Sequence, residues 1–238
     1  MIATTWEFKN RALVFGLIFG IAFATYGIDH QTSAAAFANW VAPRLHLDAN
    51  RIAELLFWLA ALFVALAAFF RTWGSSYLSA GVVYASQVKT EALVADGPYR
   101  YVRNPLYFAN VLLALGLGAL MSRLGFFLAV ALMVLFCYRL ILREEAELSG
   151  SQGHHYESYA NAVPRLLFFP WPRVPSSGRR ADWADGFKAE GWYWGIAAAL
   201  VAFAATLNFK LFLGILTASL ALFWISATLL EKKSRSQL

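Results

Sequence analysis

Six apolar stretches, each near the length of a membrane-spanning helix, limit what this chain can fold into. They are Ala12–Ile28, Ile52–Phe70, Pro105–Ser122, Leu124–Leu142, Trp192–Leu207 and Leu211–Leu230. About 20 helical residues cross the ~30 Å hydrocarbon core of a bilayer. Backbone polar groups find no water there, so unbroken runs of this kind are expected to be helices. Composition agrees, with 60% of the 238 residues hydrophobic and only 14% charged, against roughly 25% charged in soluble domains. The expected fold class is therefore all-α: a polytopic transmembrane helical bundle of about six spans, forming one domain over residues 1–238. Lys9 and Arg11 precede the first run as they would in a signal peptide. Its length exceeds the ~7–15-residue apolar region of such a peptide, so it is expected to be a true span. Ala34–Ala42 is too short to cross and is expected to lie at the interface.

Basic residues set the expected orientation. With six spans, the side holding both termini and the 71–104 and 143–191 segments carries sixteen of the twenty: Lys9, Arg11, Arg71, Lys89, Arg100, Arg103, Arg139, Arg143, Arg165, Arg173, Arg179, Arg180, Lys188, Lys232, Lys233 and Arg235. The other side carries Arg44, Arg51, Arg123 and Lys210. Both termini and both long loops are thus expected in the cytoplasm. The net charge of +6 is spread between apolar runs rather than gathered on one face, which argues against a nucleic-acid partner. A single cysteine, Cys137, excludes an internal disulfide and reads as a buried core residue.

Chemistry concentrates around DGPYRYVRNPLY, residues 96–107. Gly97-Pro98 signals a turn. Asn104-Pro105 signals a helix start, with asparagine as N-cap and proline at the first helical position. Such a start aims unpaired N–H groups at the interface and attracts anions, beside Arg100, Arg103, Tyr99, Tyr101 and Tyr107. The neighbouring span ends in Tyr138-Arg139-Leu140-Ile141-Leu142-Arg143-Glu144-Glu145-Ala146-Glu147, where Arg139, Arg143 and Glu147 share one helix face. The two arginines repel unless an anion or carboxylate lies between them. Spans three and four are joined only by Ser122-Arg123, and this hairpin brings both groups to one membrane surface, where a cofactor with a carboxylate and a cationic head would be matched. The same residues also suit bare topology, since arginines mark cytoplasmic helix ends and tyrosines populate interfacial belts. Val163–Pro172 reads as an interfacial linker, Ser176–Arg180 as a flexible joint, and Trp73, Trp171, Trp183, Trp192 and Trp194 as belt residues. His154-His155 offers too few partners for a metal site.

At these residues the chain resembles the integral-membrane methyltransferases that include isoprenylcysteine carboxyl methyltransferase and phosphatidylethanolamine N-methyltransferase. Gly97-Pro98-Tyr99-Arg100-Tyr101-Val102-Arg103-Asn104-Pro105-Leu106-Tyr107 is similar to that family's G-P-Y-R-x-x-R-H-P-x-Y. Arg143-Glu144-Glu145, Leu148, Gly153, Tyr156, Tyr159 and Val163-Pro164-Arg165 are similar to its R-E-E-x-x-L…G-x-x-Y-x-x-Y…V-P-R. The resemblance implies a core over residues 90–172 that binds S-adenosyl-L-methionine near the cytoplasmic surface. It also implies a lipophilic, lipid-like substrate, of the isoprenylcysteine carboxylate or phospholipid amine type, arriving from the bilayer. Residues 192–230 are then an accessory hairpin.

The cofactor contacts implied are Tyr99, Arg103, Asn104, Pro105, Tyr107, Tyr138, Glu145, Tyr156 and Tyr159, with Arg143 and Glu144 catalytic and no metal. Asn104 departs from the family histidine, Ala109 from a frequent glycine and Gln152 from a phenylalanine. Two rivals stand beside this reading. One is an NADPH-dependent sterol-type reductase, which the Arg143-Glu144-Glu145…Tyr156…Tyr159 block opposes. The other is a non-enzymatic membrane protein keeping the fold, which Asn104 favours.

Overall fold

The computed structural model of the chain describes residues 2–78 and 94–235, apart from the side chains of residues 227 and 229–235. Lys89 and the side chains of Lys232, Lys233 and Arg235, counted above in the charge asymmetry, lie outside the described residues. Among the described residues the fold is helical, with one isolated β-bridge between Thr32 and Ser122. The helices are α1 (Thr5–Lys9), α2 (Arg11–Ala24), α3 (Ser33–Leu45), α4 (Ala49–Ser75), α5 (Pro105–Gly118), α6 (Arg123–Gln152), α7 (His154–Ala162), α8 (Trp183–Thr206) and α9 (Phe209–Arg235). Three of them carry stretches long and apolar enough to cross a membrane: Ala49–Ser75, Arg123–Gln152 and Phe209–Ser226. Arg11–Gly27 and Pro105–Gly118 are apolar but shorter.

Side-chain caps fix several helix starts, because an oxygen just before the first turn satisfies an otherwise orphaned N–H. Thr4 and Glu7 form a capping box on α1, Asp48 accepts from Asn50 N at 3.1 Å, and Ser122 accepts from Gly125 N at 3.0 Å. Asp182 likewise accepts from Asp185 N at 3.0 Å, which starts α8 at Trp183 rather than at the expected Trp192. The apolar-run criterion missed that first stretch because Asp185, Lys188 and Glu190 interrupt it. In the same way α6 continues through Glu144, Glu145 and Glu147 to Gln152, well past the expected Leu142. Ala34–Ala42, expected to lie at the interface, falls inside α3, whose Ala34, Ala38 and Ala42 are buried along one face, and α3 packs on α4.

Neighbouring helices pack in the order α2, α6, α5, α4, α8, α9. Both expected hairpins form, α5 with α6 and α8 with α9. The row curls, since α2 and α9 at its two ends line the same cavity above α5. Small residues let α4 sit at the middle of the row: Ala60, Ala61, Val64, Ala67 and Ala68 are all buried.

A buried polar seam fastens α8 to α4. Arg71 donates from Nε to Glu190 Oε2 and from Nη2 to Oε1, each at 2.8 Å, and Ser75 Oγ donates to the same carboxylate at 2.7 Å. The seam extends through Tyr193, whose hydroxyl donates to Asn110 Oδ1 at 2.6 Å, and Trp194, whose Nε1 donates to Thr72 Oγ1 at 2.9 Å. Gly186 permits this approach, since a Cβ there would meet the Thr72 carbonyl oxygen at 2.6 Å. Glu190 is 0% exposed, so its charge depends on Arg71 for compensation.

Glu190→Ala, which removes the carboxylate from this buried ion pair, is expected to destabilise the protein by about 3–5 kcal/mol. An Arg71→Leu/Glu190→Leu double variant should regain most of that. Thermal unfolding of the three proteins in detergent checks both expectations.

Candidate active site

The first motif block opens with a turn that needs glycine. Gly97 has φ +58, and a Cβ there would lie 2.3 Å from the Tyr77 ring. Its neighbour Asp96 is a buried hub for the segment expected to be a flexible joint. The carboxylate accepts from Ser176 Oγ at 2.6 Å, Ser177 N at 3.0 Å, Arg179 N at 3.1 Å and the Ser177 hydroxyl. Burial pushes the Asp96 carboxyl upward, but these donors outweigh it and bring the group down to about 2. Ser176–Arg180 is therefore clamped from Ser176 to Arg179.

The segment between α7 and that clamp is not a free linker either. It runs as a strap along the first motif block: Arg103 N donates to Pro164 O at 2.8 Å, Phe169 N to Tyr101 O at 3.2 Å and Arg173 N to Arg100 O at 2.8 Å. Phe168 stacks on Tyr101 with ring centroids 5.5 Å apart and sits edge-on to Phe70 at 5.0 Å. Tyr101 thus faces the strap. Asn104 caps nothing with its side chain; its Nδ2 donates to Arg165 O at 2.9 Å, while Pro105 occupies the first turn of α5 as expected.

Two adjacent carboxylates on α6 diverge, because consecutive residues point about 100° apart around a helix. Glu145 pairs with Arg103 at 3.1 Å and with Arg165 at 2.9 Å, and Arg165 Nη1 donates to Tyr138 Oη at 2.7 Å. Glu144 instead faces inward and accepts from Tyr107 Oη at 2.6 Å. The sequence pattern asked for a carboxylate between Arg139 and Arg143. The structure supplies two, with Arg139 on Glu7 at 2.7 Å and Arg143 on Glu147 at 2.9 Å. Arg143 also reaches Thr5 Oγ1 at 3.2 Å and lies over the Phe8 ring, so it anchors the N-terminal helix.

A cavity of about 750 Å³ opens where the two blocks meet. Of the residues expected at the site, Tyr99, Arg103, Asn104, Pro105, Tyr107, Glu144, Tyr156 and Tyr159 line it, whereas Tyr138, Arg143 and Glu145 do not. Glu145 lines a separate shallow cleft with Arg103, Tyr156 and Arg165. The Tyr99 hydroxyl is buried and has no hydrogen-bond partner among the described residues, while Tyr159 Oη donates to the Tyr99 carbonyl at 2.8 Å. Burial raises both phenols above their ordinary range, so each stays a protonated donor at neutral pH.

Arg11, Arg71, Asn110 and Tyr193 also line the cavity and were not expected there. Asn110 had a legible signal, a lone amide inside an apolar span. Arg71 had none, because its partner Glu190 lies 119 residues away. His154 makes an exposed pair with Glu157 at 3.1 Å, and no group of three or more His, Cys, Asp or Glu side chains gathers among the described residues.

The stretch from α4 to the end of α6, with its hairpin and paired carboxylates, is what comparison with known families picks out. Residues 55–151 match the phospholipid methyltransferase family. That match accords with the membrane methyltransferase resemblance carried by the two motif blocks. Tyr156, Tyr159 and the strap lie beyond its end, and α8 and α9 lie wholly outside it. Among curated proteins, the chain is 34% identical over 123 residues to the cobalt-zinc-cadmium resistance protein CzcN of Cupriavidus metallidurans, covering 52% of this chain and 53% of that protein. It is 30% identical over 123 residues to the nickel-cobalt-cadmium resistance protein NccN of Alcaligenes xylosoxydans xylosoxydans, covering 52% and 54%. The chain thus spans about half the length of the curated relatives it matches. No solved structure matches it significantly.

Asp96 yields a pH prediction. Its carboxyl lies below the ordinary 3.8 in the fold, so its stabilisation is fully present above about pH 4 and lost as pH falls through about 2. The difference in unfolding temperature between wild type and Asp96→Asn is expected to be largest near neutrality and to shrink as pH falls from 4 toward 2.

Proposed function

We propose that this protein is an S-adenosylmethionine-dependent integral-membrane methyltransferase acting on a lipophilic, lipid-like substrate. In this reading the bundle has six spans, both termini and the cofactor site face the cytoplasm, residues 90–172 form the cofactor core, and 192–230 are accessory to it. One observation carries the reading: both motif blocks converge on a single cavity whose polar end holds Glu144, Arg103 and the phenols of Tyr99, Tyr107, Tyr156 and Tyr159.

These residues fit the cofactor. The Tyr99 hydroxyl, buried and without a hydrogen-bond partner among the described residues, is a spare donor on a residue of the cavity lining; Arg103 suits a carboxylate and Glu144 a cationic centre. Asn104, Pro105 and Tyr107 complete that wall. Glu145 acts from behind, holding Arg103 in place, and Tyr138 acts through Arg165. When bound, S-adenosylmethionine supplies an electrophilic methyl group for in-line displacement.

The protein's share of such a reaction is alignment and exclusion of water. Apolar Leu113, Leu117 and Met133 line part of the cavity and offer water no hydrogen-bond partners there. A carboxylate nucleophile needs no base. An amine, with an ordinary pKa near ~10, must first lose a proton, and Glu144, steadied by the Tyr107 hydroxyl, is the carboxylate placed to take it. Arg143, turned toward α1, has a positioning role in this reading: it holds the N-terminal helix against the cavity wall.

Isothermal calorimetry in detergent with S-adenosylmethionine, S-adenosylhomocysteine and NADPH tests the proposal. Both adenosyl ligands should bind the wild type, NADPH should not, and Asn104→His should tighten the binding. Glu144→Gln should keep most of the binding yet lower transfer of labelled methyl to a membrane-lipid extract about 100-fold or more if the acceptor is an amine. Binding of NADPH alone would establish the reductase, and binding of none of the three would leave a scaffold without its chemistry.

A further inference from the structure

The cavity does not stop at the cofactor end. Its lining follows one face of α5 from Asn104 through Asn110 and Leu113 to Leu117. Thirteen residues of helix carry it about 20 Å inward, at 1.5 Å per residue, which exceeds the ~15 Å thickness of one hydrocarbon leaflet. Polarity changes along that path. Arg103, Glu144 and the tyrosines gather at the start of α5, whereas Leu113, Leu117 and Met133 line the far end.

The walls of this groove come from both ends of the curled helix row. On one side stand Phe15 and Phe19 of α2; on the other stand Ile196 of α8 and Leu220 and Trp224 of α9. The second wall lies entirely outside the matched family segment, 55–151. It is nevertheless rigidly seated, because Arg71–Glu190 and Tyr193–Asn110 fasten α8 to α4 and α5 beside the groove. Trp224, at the rim, is 68% exposed, so the groove reaches the outer surface of the bundle at α9.

From this geometry we infer that the groove holds the apolar chain of a lipid along α5, and that the α8–α9 pair is the wall that selects its length and bulk. The inference rests on the methyltransferase reading only for the reaction at the chain's head, not for the binding of the chain. Ile196 and Leu220 are the selecting side chains: they line the same cavity as Leu113 and Leu117, so added volume there shortens the space a chain can fill. Beyond Asn110 an apolar occupant follows from the lining, since a polar one would lose its hydration against Leu113, Leu117, Met133, Ile196 and Leu220 without gaining partners there.

The test uses the full-length protein in lipid nanodiscs with two alkylamine probes, one short-chain and one long-chain, each carrying a terminal diazirine. After photolysis, labelled peptides are mapped by mass spectrometry. The long-chain probe is expected to mark residues near Leu117 and Leu220, and the short-chain probe residues nearer Tyr107. Leu220→Trp should lower long-chain labelling about tenfold, a 1.4 kcal/mol effect, and leave short-chain labelling unchanged. Leu117→Trp, which narrows the groove from α5, provides the same readout should the first variant fold poorly. Long-chain labels confined to the outer lipid-facing surfaces, or equal labelling of wild type and both variants, would overturn the inference. Groove labelling in a protein that binds no adenosyl ligand in calorimetry would keep the lipid groove and remove the methyltransferase reading.

Discussion

Glu145 is the point on which the site's geometry turns. One carboxylate, nearly buried, holds Arg103 from the first motif block and Arg165 from the strap that follows the second. Those arginines lie 42 and 20 residues from it in the chain, so one side chain adds an ionic tie between two loops that backbone bonds already join. Arg165 Nε donates to Glu145 Oε2 at 2.9 Å, and hydrogen bonds between ionised partners are roughly twice as strong as neutral ones, while Arg103 adds an ion pair at 3.1 Å. The gain is greatest where little water competes, and here the arginine and glutamate side chains of the Arg103 pair are only 11% and 10% exposed. Losing this carboxylate would leave the Arg103 and Arg165 guanidiniums without the counter-ion they share.

Around that junction the molecule separates tasks that adjacent residues in sequence would seem to share. Glu144 and Glu145 are neighbours, yet one serves the cavity and the other its scaffold. Asn104, at the position of the family histidine, has its amide donor engaged by the strap carbonyl of Arg165. It lines the cavity while contributing to the closure of the loop, which couples any change at that position to the strap. Arg71 and Glu190 repeat the principle on a larger scale: a buried pair attaches the C-terminal helices to the α4–α5 layer and gives the cavity its second wall.

Much of this was legible in the chain. The Asn104-Pro105 start of α5, the α5–α6 hairpin and the burial of Cys137 follow from local patterns, as does the convergence of Tyr99, Arg103, Tyr107 and Glu144. What escaped was non-local. The strap's role needed knowledge of backbone bonds from Pro164 and Arg173 back to residues 100–103, and such bonds leave no mark on composition. The family resemblance implied a catalytic Arg143, whereas its guanidinium pairs with Glu147 and reaches Thr5 of α1 outside the cavity lining. The extra length of α6 and α8 was hidden because charged residues end an apolar run without ending a helix when partners are available.

The length of α6 has one more consequence. From Arg123 to Glu144 the helix rises about 32 Å at 1.5 Å per residue, close to the ~30 Å of hydrocarbon it would cross. On the proposed six-span reading, Arg123, paired with Asp29, would mark one boundary and the inward-facing carboxylate would stand at the height of the other, where acyl chains give way to headgroups. The membrane itself then sets the depth of immersion of Glu144. A thicker bilayer would submerge it and a thinner one would lift it toward water, each at a mismatch cost of fractions of a kcal/mol per Å. Lipid composition would in this way change the surroundings of Glu144 without any molecule binding to it.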